Sequence, residues 1–183
     1  MPEPPLRVGL TGGTGLVGWP LRCRLVHDAG HDVTVADRAA FASPEALAAF
    51  VADRDVIVHL AAMNRGPEAE VEAVNVGLAD ALVEALDTAA AKPALVFASS
   101  THVDRDTAYG RAKRTAAERL GAWAERHGAP LATLVLPHVF GEGGRPFHNS
   151  VVATFCHQLA RGETPTLEQD GALELLHAQE VAD

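Results

Sequence analysis

Thr11-Gly12-Gly13-Thr14-Gly15-Leu16-Val17-Gly18 is the stretch on which the fold turns. Leu6 to Thr11 reads as a short buried strand, and Gly15 to Ala29 carries Leu16, Leu21 and Leu25 at mixed helical spacings until Gly30 stops it. Strand, glycine-rich turn and helix thus follow one another without a linker. Glycines at 12, 15 and 18 let backbone N–H groups at the start of a helix come close to a phosphate-bearing ligand. Gly12 suits the tight turn, Gly15 the contact with pyrophosphate, and Gly18 the close packing of helix on strand.

Outward from this turn the chain alternates. Val33-Thr34-Val35 forms a second strand, Ser43 caps an Ala-rich helix through about Ala52, and Val56 to Leu60 is a third strand. A helix from Glu68 to Ala91 precedes the strand Ala94 to Phe97, and one from Thr107 to His127 precedes Leu131 to Leu136. Gly141 to Pro146 is turn-rich and leads to a helix from Ser150 to Arg161; after Gly162 the pattern weakens. Strands alternating with helices predict an α/β fold, a doubly wound parallel sheet of Rossmann type.

Composition bounds the function. With 183 residues, 48% hydrophobic and 21% charged, the chain fits one globular domain and can bury a core. A formal charge of -9, from 24 acids against 15 bases, argues against nucleic acid as a partner, because phosphate-backbone binding rests on clustered Lys and Arg. Cys23 and Cys156 lie far apart and suggest neither a disulfide framework nor a zinc-thiolate site. His27 and His31 flank Gly30 and fit a helix C-terminus, so no metal site is expected. Met1-Pro2-Glu3-Pro4-Pro5 lacks the basic start and apolar run of a signal peptide, and no run reaches the roughly 18 apolar residues of a membrane span. The expectation is a cytoplasmic protein without membrane partners.

Two further constellations carry chemistry. Asp37 ends the second strand about 20 residues past the turn, where a carboxylate accepts hydrogen bonds from the adenosine ribose. That favours NAD as cofactor, while the guanidinium of Arg38 keeps NADP open through its 2′-phosphate. Tyr109 and Lys113 stand four apart on one helix face, and a nearby ammonium stabilises a phenolate, so the ring can exchange a proton with an alcohol or carbonyl. Upstream, Phe97-Ala98-Ser99-Ser100-Thr101 ends the fourth strand on the edge where α/β sheets bind ligands, and a hydroxyl there can orient the carbonyl.

The ordered set T-G-x-x-G-x-x-G, D-x-I-x-H-L-A-A at Asp55 to Ala62, Ser99-Ser100 and Y-x-x-x-K resembles the extended short-chain dehydrogenase/reductases, the NAD-dependent sugar-nucleotide epimerases and dehydratases. Leu136 to Gly141, followed by Asn149 to Cys156, looks especially like the reductase domain of capsular-polysaccharide biosynthesis enzymes. The resemblance implies Ser100, Tyr109 and Lys113 as catalytic residues, with Ser99 and Thr101 as rivals for Ser100. It implies that the cofactor meets Gly12, Gly15, Leu16, Val17, Gly18, Asp37, Arg38, Leu60, Ala61, Ala62, Asn75, Tyr109 and Lys113. The family's dehydratases carry an Asp-Glu pair where this chain has Thr101-His102, so the resemblance points to an NAD(P)-dependent oxidoreductase or epimerase transferring hydride at a hydroxyl or keto carbon of a nucleotide sugar. A non-catalytic dinucleotide-binding or sensor module, and a same-fold enzyme of small secondary metabolites, are the alternatives.

Family members continue beyond the segment resembling Leu173 to Asp183. Residues 1–183 are therefore expected to form a single NAD(P)-binding domain, with 138–183 the start of a truncated C-terminal substrate lobe. His138 replaces the family's usual Asn, and Arg145, Asn149 and Lys92 are candidates to reach a diphosphate or uracil. The two long helices, Val71 to Ala85 and that of Tyr109, are expected to pack into a homodimer, as relatives do through a four-helix bundle.

Overall fold

The computed structural model describes residues 4–167 and 171–183; Met1 to Glu3, on which the signal-peptide reading partly rests, lie outside the described residues. Five parallel strands, β1 (Arg7–Thr11), β2 (Asp32–Ala36), β3 (Val56–His59), β4 (Ala94–Ser100) and β5 (Leu131–Leu136), make one sheet in the order β2-β1-β3-β4-β5. The first crossover carries the chain from β1 to one side and the second carries it back across β1 to β3. The carboxyl ends of β1 and β3 therefore form the switch point at which such sheets open a ligand crevice.

The inner strands read as apolar runs because both of their faces are covered. On one face Ile57, Leu95 and Phe97 pack against Leu47 of α3 (Pro44–Val51), Leu82 of α4 (Glu68–Thr88) and Trp123 of α5 (Ala108–His127). On the other, Val8, Leu10 and Val58 meet Leu21 of α1 (Gly18–Cys23). Caps set the helix ends: Ser43 Oγ accepts from Ala46 N, Thr107 Oγ1 from Gly110 N, and Gly128 closes α5 in the left-handed region at φ 64°.

The helix expected over Gly15 to Ala29 begins only at Gly18 and finishes as a π-helical turn, Arg24–Asp28. β3 stops at His59, leaving Leu60 in the following loop; α4 ends at Thr88, and β4 runs on to Ser100. A short helix α2 (Arg38–Phe41) was not expected; it exists because Asp37 caps it. Beyond β5, the short strands β6 (His138–Phe140) and β7 (Leu175–His177) pair in parallel, α6 (Val151–Ala160) lies between them, and α7 (Ala178–Ala182) follows. Among the described residues no helix is long and apolar enough to cross a membrane.

Candidate active site

The glycine turn and the loop after β3 face each other across the switch point at backbone contact. Gly12 lies at φ 73°, and a Cβ there would stand 2.7 Å from Ala61 N and 2.9 Å from Leu60 C. Gly18 is tighter still, since a Cβ would come within 2.1 Å of the Gly12 carbonyl oxygen. At Gly15 an added Cβ would meet only that oxygen, at 3.2 Å, so the outer side of the turn is open. Leu16 and Val17 complete the turn, and no side chain caps α1 at Val17. Gly13, which sequence reasoning passed over, is needed too: its Cβ would lie 2.9 Å from a Val35 methyl.

Buried polar contacts lock the same two segments. Thr11 Oγ1 accepts from Ala61 N at 3.1 Å and pairs with His59 Nδ1 at 2.7 Å. His59 is 3% exposed and stacks on Phe97; burial, with a smaller contribution from Lys113, pushes its pKa down to about 3, so it is neutral. Asn75 fixes Met63, two residues beyond Ala61 in the loop. Its Oδ1 accepts from Met63 N at 2.9 Å, and Nδ2 donates to the carbonyls of Met63 and Val71 at 2.6 and 2.7 Å. At the end of β2, Asp37 Oδ1 accepts from Ala40 N at 3.0 Å, leaving the other oxygen free, and Arg38 beside it is exposed.

Ser100 is the last residue of β4, and Tyr109 and Lys113 stand in the first two turns of α5. Lys113 is buried, its Nζ donating to the Ala98 carbonyl at 2.7 Å and standing 4.9 Å from the Phe97 ring centroid and 5.7 Å from that of Tyr109. Ser100 Oγ accepts from His102 N at 3.2 Å and so caps the 3-10 turn Thr101–Asp104. Of its rivals, Ser99 is buried and Thr101 exposed. Gly110 admits the close seating of that turn, since a Cβ would lie 2.3 Å from the His102 carbonyl oxygen and 2.5 Å from that of Arg105. Sequence reasoning missed Gly110 and His59; the glycine directly after Tyr109 and the histidine directly before Leu60-Ala61-Ala62 were the available signals.

Electrostatics differ from the sequence expectation in one respect. Burial raises the Tyr109 hydroxyl to about 12 and lowers the Lys113 ammonium to about 8, so in the free protein desolvation outweighs the help the ammonium was expected to give the phenolate. The His102 ring meets Tyr109 edge-on at 6.0 Å between centroids; its pKa is lowered by burial, then by Arg105 and His138. The Nε2 atom of His138 is buried without a hydrogen-bond partner among the described residues. Lys92 stands just before β4, at the amino end of the sheet, and so cannot reach this site. Among the described residues no group of three or more His, Cys, Asp or Glu is placed to hold a metal.

A doubly wound parallel sheet with a glycine-lined switch point, a serine ending its fourth strand and a tyrosine and buried lysine on the next helix is an α/β domain of Rossmann type. Residues 8–183 match the model of the NAD dependent epimerase/dehydratase family, and the chain belongs to that family. It is 36% identical over 157 residues to UDP-2-acetamido-2,6-beta-L-arabino-hexul-4-ose reductase of Pseudomonas aeruginosa, covering 85% of this chain and 42% of that protein. The capsular polysaccharide assembling protein CapF of Staphylococcus aureus superposes with a TM-score of 0.81 at 28% identity over 97% of this chain and 47% of that one. UDP-N-acetylglucosamine 4-epimerase from Bacillus cereus, 22% identical over 97% of this chain and 69% of its own, shares the fold with a TM-score of 0.80. The chain spans less than half the length of the first two.

Proposed function

We propose that this chain is the dinucleotide-binding part of a reductase or epimerase acting on a nucleotide sugar. The observation that supports the reading is the Lys113 ammonium, anchored on the Ala98 carbonyl of β4 and 5.7 Å from the Tyr109 ring centroid, with Ser100 at the carboxyl end of the same strand. The open outer side of Gly15 and the close backbone approach at Gly12 fit a pyrophosphate. A bound nicotinamide supplies the hydride.

The chain's own residues handle the proton. Tyr109 gives its hydroxyl proton to the keto oxygen as the carbon becomes an alcohol carbon, or takes it back in the reverse direction. Lys113, anchored on the Ala98 carbonyl, stabilises the resulting phenolate, and the Ser100 hydroxyl orients the carbonyl. Asn75 holds the loop that carries Leu60, Ala61 and Ala62 rather than spending its amide on the cofactor. The free oxygen of Asp37 suits a ribose hydroxyl and favours NAD, with Arg38 placed for the extra phosphate of NADP. In this reading β6, β7 and α6 begin a substrate lobe at residues 138–183, and α4 with α5 offers the homodimer face.

The test is Tyr109→Phe, with calorimetric binding of NADH and NADPH measured beside turnover of 4-keto and 4-hydroxy sugar nucleotides. Turnover should fall by about a thousandfold while dinucleotide binding stays within threefold. Full activity in Tyr109→Phe, where chemistry limits the rate, would remove Tyr109 as proton donor. Wild-type binding without turnover of any sugar nucleotide would favour a sensor module.

A further inference from the structure

Two loops far apart in sequence are joined by side chains that the proposed chemistry does not use. Arg65 Nη1 donates to the Phe147 carbonyl at 2.6 Å and also to the His148 carbonyl, and Asn149 Nδ2 donates to the Asn64 carbonyl at 3.3 Å. The first loop continues directly from the crevice wall, where Thr11 holds Ala61 and Asn75 holds Met63. The second leads into α6: Phe147 N donates to Thr154 Oγ1 at 2.9 Å, and that hydroxyl donates to the Ser150 carbonyl at 2.8 Å. The loop from Ala61 to Arg65 is thus hydrogen-bonded at one end to Thr11 before the glycine turn and at the other to the start of the proposed substrate lobe.

The second loop is in a costly conformation. Phe147 lies at φ 56°, in the left-handed region that bulky side chains avoid, and its side chain is not buried in compensation, being 58% exposed. An edge-on contact with the His157 ring, 5.5 Å between centroids, and hydrogen bonds at its own N–H and C=O hold it, and a charged guanidinium makes the stronger kind of hydrogen bond. We propose that Arg65 is a positioning residue that clasps the loop before α6 onto the rim of the cofactor crevice, so that cofactor occupancy and placement of the substrate lobe are coupled. The proposal rests on the reading above in taking the crevice to hold a dinucleotide. Both carbonyls stand at the surface, where water can replace the arginine, so loss of the clasp opens the loop without unfolding the domain.

Phe147 is itself the reporter, because chymotrypsin cleaves after exposed phenylalanine in a loop that opens. Cleavage at Phe147 in the full chain, mapped by mass, is followed without ligand and with saturating NADH or NADPH, while calorimetry measures dinucleotide binding to the same samples. Arg65→Gln should raise the unliganded cleavage rate on the order of fivefold, with a melting temperature within about 2 °C of wild type. Dinucleotide should slow cleavage of the wild type and leave Arg65→Gln unprotected, and Arg65→Lys, which still presents a charged donor, should restore part of the protection. Equal cleavage of wild type and Arg65→Gln, or equal protection by dinucleotide, would overturn the clasp. Calorimetry that finds no dinucleotide binding to the wild type sinks the proposed function, and the coupling with it. Binding that leaves cleavage unchanged sinks the clasp alone.

Discussion

The switch point between β1 and β3 and the segment after β5 are built on opposite plans. At the switch point, backbones meet so closely that Gly12 and Gly18 admit no Cβ, and buried Thr11, His59 and Asn75 satisfy one another or the loop beside them. After β5 the strands are three residues long, α6 has no buried residue, and Leu159 and Leu175 face solvent. One region is over-determined by its own contacts; the other rests on a short strand pairing, on α7 packing against α1 with Ala178 buried, and on a few polar links. A cofactor cradle needs the first kind of construction, because its donors must stand in place before the ligand arrives. The substrate role proposed for the segment after β5 is compatible with the second.

Alanine at a glycine is the sharpest way to break this contrast. Gly18→Ala puts a Cβ 2.1 Å from the Gly12 carbonyl oxygen, a backbone atom that can move only with the whole turn. It should cost ~3 kcal/mol or more in denaturant unfolding and abolish dinucleotide binding. Gly171→Ala, with nothing among the described residues within 4 Å of the added carbon, should stay within about 0.5 kcal/mol of wild type. Similar losses from the two variants would mean that the switch point relaxes as easily as the later segment.

Acid should probe the same cradle from within. His59 titrates near its ordinary value when unfolded but is held down to about 3 in the native state, first by burial and then by Lys113. As pH falls from about 6.5 toward about 3, the unfolded chain therefore binds a proton that the native chain refuses, so stability drops as the pH is lowered. The slope is about 1.4 kcal/mol per pH unit for one such proton. Denaturant melts between pH 7 and 4.5 should show that His59→Asn loses this component of the slope. An unchanged slope would show that His59 accepts its proton in the folded protein.

How much of this could be read beforehand follows from what each feature depends on. The inner strands were legible because burial on both faces favours apolar residues there, while the edge strand β5, largely exposed, was legible from its composition alone and falls at Leu131–Leu136 as read. β6 and β7 were not, since three residues show no period and their partners lie far apart in sequence, His138 opposite Leu175. α2 was hidden because Asp37 was read only for a ribose, although the same carboxylate caps a helix. In the site, spacing put Tyr109 and Lys113 on one helix face, and Lys113 Nζ stands 5.7 Å from the Tyr109 ring centroid. The need for Gly110 did not follow from spacing, because it is set by the His102 carbonyl across the 3-10 turn.

The smallest effects come from matched helix caps, and they separate the two regions by where a loss appears rather than by how large it is. Thr107 Oγ1 accepts from Gly110 N at 3.1 Å, and Ser150 Oγ accepts from Ala153 N at 3.2 Å. Each hydroxyl satisfies one donor of a helix first turn, so Thr107→Ala and Ser150→Ala remove the same chemistry, worth ~1 kcal/mol. α5 buries Leu120 and Trp123 in the main core, so it cannot open without the domain, and Thr107→Ala should lower global stability by the full amount. α6 buries none of its residues and can fray alone, so Ser150→Ala should leave the global transition nearly unmoved. Its cost should appear instead as faster hydrogen exchange across 151–154. If Ser150→Ala shifts the global transition as far as Thr107→Ala does, the segment after β5 unfolds with the sheet, and the contrast between the two regions is one of sequence and not of cooperativity.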